Sequence, residues 1–236
     1  MKYILFDLDG TLLPMDQDAF VREYFKAIAA HLAPHGLEPK RLINTILKGT
    51  AAMVKNDGAA TNAEVFWKCY AGEYGGRLYD EQYFDEFYRT EFDAAKSSCG
   101  LYPDAAATVK QLKKLGYTLV LASNPIFPAI AHKRRMTWAG VDPDDFILIT
   151  AYENMRYCKP NPDYYRQICD LIGATPADCL MVGNDVGEDM VASTVGMKVF
   201  LLPDRIINPN NADISSYPQG DYSALLSYVQ AEFPLD

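Results

Sequence analysis

The stretch YILFDLDGTLL, residues 3–13, decides how this chain folds and where its chemistry lies. Its first half is a continuous apolar run, the pattern of a strand in a parallel sheet covered on both faces. Its second half breaks that pattern with Asp7 and Asp9, followed at once by Gly10 and Thr11. Residues two apart on an extended backbone point to the same side, so the two carboxylates face one place. An unpaired buried carboxylate costs several kcal/mol or gives up its charge, and two of them repel each other. The expected compensation is a divalent cation, or a reaction that needs both groups.

Four more short apolar runs share the strand character: residues 117–122, 146–150, 179–183 and 198–202. Helical patterns alternate with them. Residues 104–115 place Ala105, Val109, Leu112 and Leu115 on one stripe before Gly116. Residues 162–172 stop at Gly173, and residues 188–195 stop at Gly196, with Glu188 read as a solvated residue of a helix N-terminus. Strands alternating with helices build β-α-β units, so the fold class is α/β with a doubly wound parallel sheet. Residues 203–220 read as a surface loop, and a last helix is expected near residues 222–233.

Residues 16–97 interrupt the alternation with helical patterns only. Val21, Tyr24, Phe25, Ile28 and Leu32 form one apolar stripe, and Leu42, Ile43, Ile46 and Leu47 form a second behind Pro39. Thr61 and Glu64 have the spacing of a capping box that opens a third helix. Phe84, Phe87, Tyr88 and Phe92 stripe a fourth, read as helix–helix core rather than as a ligand box. The expected organisation is an α/β core of residues 1–15 and 98–236, with an all-helical insertion at 16–97.

The 236 residues suffice for one domain with a sizeable insertion. A hydrophobic fraction of 49% supports a real core, and a net charge of -9 argues against a nucleic-acid or anionic-membrane surface. The basic cluster at residues 132–135, His-Lys-Arg-Arg, is read as the exposed face of a helix. No run of about 20 apolar residues is present for a membrane span, and the N-terminal apolar run is too short for a signal peptide. Cys69, Cys99, Cys158, Cys169 and Cys179 form no C-x-x-C pair, which suggests reduced thiols and a cytoplasmic protein. His31 and His35 are four apart, but Pro34 and Gly36 end the helix there, so they are not read as metal ligands.

In open α/β sheets ligands bind beyond the carboxyl ends of the strands. The chain places Asp7 and Asp9 after the first strand and Ser123-Asn124 after the second. It places Lys159 in KPNP beyond the third, and GNDVGED, with Asp185 and Asp189, after the fourth. Carboxylates with one lysine suit a hard cation such as Mg²⁺, which takes oxygen ligands and substrate phosphate. The set DLDGT, LASN, KPNP and GNDVGED, in this order, resembles the four motifs of the haloacid dehalogenase-like (HAD) superfamily of phosphatases and phosphotransferases. The resemblance covers the α/β part, and the helical insertion sits where that superfamily carries its C1 cap.

The resemblance implies roles. Asp7 is the nucleophile that forms an aspartyl-phosphate. Asp9 is the general acid and base. Ser123 and the Asn124 backbone N–H bind phosphoryl oxygens. Lys159 neutralises charge on the nucleophile and the phosphate. Mg²⁺ is held by Asp7, the Asp9 carbonyl and Asp185, with Asp189 as a further ligand or behind them. The fourth motif departs from the usual Gly-Asp, since Asn184 follows Gly183; Asp185 is favoured over Asn184 as the ligand.

The function implied is a Mg²⁺-dependent phosphatase acting on a small phosphorylated metabolite. A sugar-phosphate mutase is the rival within the superfamily. It needs a cap that grips a second phosphate, for which Arg22, Lys48 and Lys55 are available. A dehalogenase fits less well, because Asp9 has no task without a phosphoester. From another class, a non-catalytic phosphate-binding module predicts no turnover.

Overall fold

The computed structural model describes residues 1–76 and 80–235. Five strands form one parallel sheet: β1 (Tyr3–Phe6), β2 (Thr118–Leu121), β3 (Phe146–Ile149), β4 (Cys179–Gly183) and β5 (Lys198–Leu201). Their order is β3-β2-β1-β4-β5, so the strand order reverses at β1. Every ladder is parallel, with Phe6 opposite both Leu121 and Val182. Ile4, Leu5 and Phe6 are fully buried, which explains the unbroken apolar run. Each such side chain contributes about 1.5–3 kcal/mol relative to an exposed one. Each of the five sequence-predicted strands is present, shorter by at most two residues at an end.

Among the described residues of the insertion after β1, up to residue 97, there are four α-helices: α1 (Gln17–Leu32), α2 (Pro39–Val54), α3 (Asn62–Glu73) and α4 (Glu81–Thr90). Arg77, Leu78 and Tyr79, within the range read as helical, lie outside the described residues. Asp16 caps α1 through the Ala19 N–H, and the Thr61–Glu64 capping box of α3 is formed in both directions. The chain leaves and returns through paired segments: Met15 and Cys99 bridge, and Gly100 N–H donates to the Pro14 carbonyl at 2.7 Å. Asn62 ties α3 to the sheet edge. Its amide donates to the Pro125 carbonyl at 3.2 Å, and its backbone N–H to Met155 O at 2.8 Å.

The remaining helices are α5 (Pro103–Leu115), α6 (Ala129–Trp138), α7 (Pro162–Ile172) and α8 (Tyr222–Glu232). Gly116 and Gly173 end α5 and α7 in the left-handed conformation. The α-helix expected over residues 188–195 is instead a 3₁₀ segment, Met190–Val195. Its entry is set by Asp189, whose side chain turns back toward the sheet rather than out into solvent.

The aromatic stripe that runs along α4 and into the 3₁₀ turn after it divides. Phe87 and Phe92 are core residues, packed edge-on to Tyr24 at 5.9 and 6.2 Å. Phe84 and Tyr88 are also buried, but they border a cavity between the helices and the sheet edge.

Candidate active site

The sheet's carboxyl edge and helices α1–α4 enclose a cavity of about 340 Å³. Its floor holds Asp7, Asp9, Ser123, Asn124, Asp185 and Asp189, brought there by the segments after β1, β2 and β4. Lys159, from the segment before α7, is buried beneath this floor with only 1% of its side chain exposed. Its Nζ donates to Asp7 Oδ1 at 2.9 Å and to Asp189 Oδ1 at 2.5 Å. Burial alone would lower the Lys159 pKa; Asp189 and Asp7 overcome it and hold the ammonium well above its ordinary value. Burial pushes the Asp189 carboxyl upward against the pull of Lys159.

The turn after β1 depends on glycine. Gly10 has φ +87°, and a Cβ there would lie 2.4 Å from the Asn184 side-chain nitrogen. Asn184 is a structural clasp. Its oxygen accepts from the Thr11 hydroxyl at 2.9 Å, and its nitrogen donates to the Arg205 carbonyl at 2.7 Å. Gly183 is equally constrained, since a Cβ would sit 2.0 Å from Asp189 Oδ2.

Asp185 Oδ1 accepts the N–H groups of Gly187 and Glu188 at 2.8 and 2.9 Å. Asp189 Oδ2 accepts the Asp185 N–H at 2.9 Å. Both oxygens of Asp189 are therefore committed, whereas Asp7 and Asp185 each keep one oxygen without a hydrogen-bond partner among the described residues. Among those residues no three His, Cys, Asp or Glu side chains gather into a closed metal cluster. The donor set still suits Mg²⁺, which binds through one or two carboxylates and completes its shell with water and substrate phosphate. Asp7 and Asp185 are the carboxylates available to it, and Asp189 is engaged in positioning Lys159.

Two expectations are corrected. The basic cluster of residues 132–135 is not one exposed face. His132 and Arg135 are buried, on the inner side of α6. Lys133 is exposed, and Arg134 is partly exposed and pairs with Asp93. Residues three apart share a helix face, and the inner face meets Asp9: Arg135 Nη1 donates to Asp9 Oδ2 at 2.6 Å. The Arg135 guanidinium lies 4.8 Å from the Phe127 ring and bonds His132 Nδ1 at 3.0 Å. Asp9 Oδ1 is buried with no hydrogen-bond partner among the described residues. Burial raises the Asp9 pKa, and Arg135 works against that rise. No local signal pointed to Arg135, because its partner is 126 residues away.

Glu188 is the second correction. It is not a solvated helix residue: it borders the cavity and accepts the Asn124 side-chain amide at 3.3 Å on both oxygens. Burial raises its pKa. Asn124 Oδ1 is buried without a hydrogen-bond partner among the described residues. Ser123 is held by its carbonyl, which accepts from Thr150 at 2.7 Å and from the Tyr164 hydroxyl at 2.9 Å.

Residues 1–192 match the model of a hydrolase family, the haloacid dehalogenase-like hydrolases. The chain is similar to a phosphoglycolate phosphatase of Psychrobacter arcticus, 24% identical over 99% of this chain and 97% of the relative. It is also similar to one from Pasteurella multocida, 28% identical over 84% of each. Among solved structures it shares its fold with a predicted phosphoglycolate phosphatase from Haemophilus somnus, at TM-score 0.56, 21% identity and 98% coverage of both chains. The L-2-haloacid dehalogenase of Xanthobacter autotrophicus has the same fold, at TM-score 0.59 and 19% identity over 98% of this chain and 99% of that one. With the family model spanning most of its length, this chain belongs to the haloacid dehalogenase-like hydrolase family.

Proposed function

We propose that this hydrolase is a Mg²⁺-dependent phosphatase that opens a phosphomonoester through an aspartyl-phosphate on Asp7. The observation that carries the reading is the pair at the end of β1. Asp7 and Asp9 face one cavity, and each has its own buried cation, Lys159 at 2.9 Å and Arg135 at 2.6 Å. Lys159 donates to Asp7 and holds it in one orientation, as a nucleophile must be held. Asp9 is raised by burial, which suits a group that gives a proton to the leaving oxygen and later takes one from water.

Ser123 and Asn124 line the same cavity and, on this reading, bind the phosphoryl oxygens, with Asn124 held by Glu188. Asp7 and Asp185 would hold Mg²⁺, which would supply charge neutralisation for the phosphoryl oxygens. Helices α1–α4 act as a cap over residues 16–97 that excludes bulk water from the intermediate. The phosphatase-named relatives support this reading.

The dehalogenase reading, raised by the structural neighbours, leaves Asp9 and its arginine without a task. The mutase reading needs a cationic grip in the cap. Arg22 and Lys48 are 67% and 59% exposed, paired with Glu23 and Glu73, and neither borders the cavity.

Release of p-nitrophenol from p-nitrophenyl phosphate tests the proposal. Activity with Mg²⁺, loss with EDTA and a fall of at least about 10⁴ in Asp7→Asn are expected. Turnover that survives in Asp7→Asn would contradict it.

A further inference from the structure

The roof of the cavity is as apolar as its floor is charged. Phe25, Ile46, Phe66, Trp67, Phe84 and Tyr88 face it from all four helices α1–α4. Of its polar groups, Trp67 Nε1 is buried without a hydrogen-bond partner among the described residues, and three hydroxyls are engaged with neighbours in the helices. The Tyr24 and Tyr88 hydroxyls bond each other at 2.9 Å, and the Thr50 hydroxyl donates to the Ile46 carbonyl at 3.0 Å. Arg135 is the one cation among the described residues that border the cavity, and Asp9 holds it. Five acids, Asp7, Asp9, Asp185, Glu188 and Asp189, border the same space. Val21 and Leu47 also line it, yet are 47% and 50% exposed, so the rim between α1 and α2 is apolar as well.

Building on the phosphatase reading, we infer that the substrate is a phosphomonoester whose alcohol part is apolar, an alkyl or aryl group that carries no second anionic group. The roof offers such a group apolar surface in place of water. Among the described residues it offers a substrate carboxylate or second phosphate no free cation, and the acidic floor repels it. The reaction is unchanged: the bond from phosphorus to the leaving oxygen breaks, that oxygen takes the proton, and water's oxygen ends on phosphorus.

A homologous series separates this inference from the reading beneath it. Phosphate release is measured with Mg²⁺ for methyl, butyl and hexyl phosphate, for 5-carboxypentyl phosphate, and for p-nitrophenyl phosphate. Each added methylene that becomes buried is expected to raise kcat/KM by up to about fourfold. The terminal carboxylate of 5-carboxypentyl phosphate is expected to lower kcat/KM more than tenfold against hexyl phosphate. In Leu47→Lys, an exposed position whose change leaves the core intact, that penalty is expected to shrink several-fold. A flat alkyl series overturns the inference while leaving the phosphatase reading standing. So does a carboxylate ester that matches hexyl phosphate. Failure of every ester, p-nitrophenyl phosphate included, overturns both.

Discussion

The floor and the roof of the cavity are built from different parts of the chain by different physics. The floor is a set of strand ends, where buried charges are tolerated because each has a partner: Lys159 between Asp7 and Asp189, Arg135 on Asp9, Asn124 on Glu188. The roof is a helical layer whose side chains contact one another as rings, with Phe66, Trp67 and Phe84 within 5.1–6.4 Å of each other. Charge complementarity is exacting over tenths of an ångström, whereas apolar packing tolerates exchange of one large side chain for another. On the proposed reading, the floor breaks the bond and the roof selects the leaving group.

On that division, floor substitutions act chiefly on kcat and roof substitutions on KM. The largest effect belongs to Asp7→Asn, as stated above. Next comes Arg135→Gln, which removes the cation from Asp9. Its kcat with p-nitrophenyl phosphate is expected to fall by about 10²–10³, the usual worth of a positioned acid, with KM changed less than threefold. Urea denaturation should show a loss near the low end of about 3–5 kcal/mol, since the Asp9 side chain is 27% exposed. Arg135→Gln with unaltered kcat would detach Asp9 from its arginine functionally.

The smallest effect is on pH and stability. Burial, reinforced by Arg135, holds the His132 pKa well below its ordinary value, so the folded protein keeps this ring neutral. The unfolded chain binds that proton first, near pH 6.5. Stability is therefore full above that pH and declines below it, by at most about 1.4 kcal/mol per pH unit. The unfolding free energy of His132→Gln, measured by urea titration between pH 5 and 7, should lack that portion of the slope. An unchanged slope would show that His132 is not the group responsible.

Sequence and structure agree where the governing interactions are local. β1 was legible because a strand buried on both faces must be apolar throughout, and Asp7 and Asp9 stood out because they break that run. The α3 capping box spans three residues and needs nothing else to form. Arg135 was not legible, because a helix stripe shows which residues share a face but not which face turns inward. Glu188 had the same difficulty: an acid at a helix start has a sufficient explanation in the helix dipole. The aromatic stripe of residues 84–92 reads as core, and Phe87 in α4 and Phe92 just after it are core; that Phe84 and Tyr88 border a cavity depends on α1, α2 and the loop after β2. Asn184 could not be settled from spacing. Its amide is taken up by Thr11 and Arg205, and Arg205 is 21 residues further along the chain.

The central claim is that Asp7 attacks phosphorus. Rapid-quench mass spectrometry of the enzyme during turnover of p-nitrophenyl phosphate with Mg²⁺ tests it most directly. The account predicts a phosphoryl increment on the peptide that carries Asp7, appearing with the burst of p-nitrophenol and absent in Asp7→Asn. Steady turnover with that peptide unmodified throughout, or the increment on another residue, would contradict it.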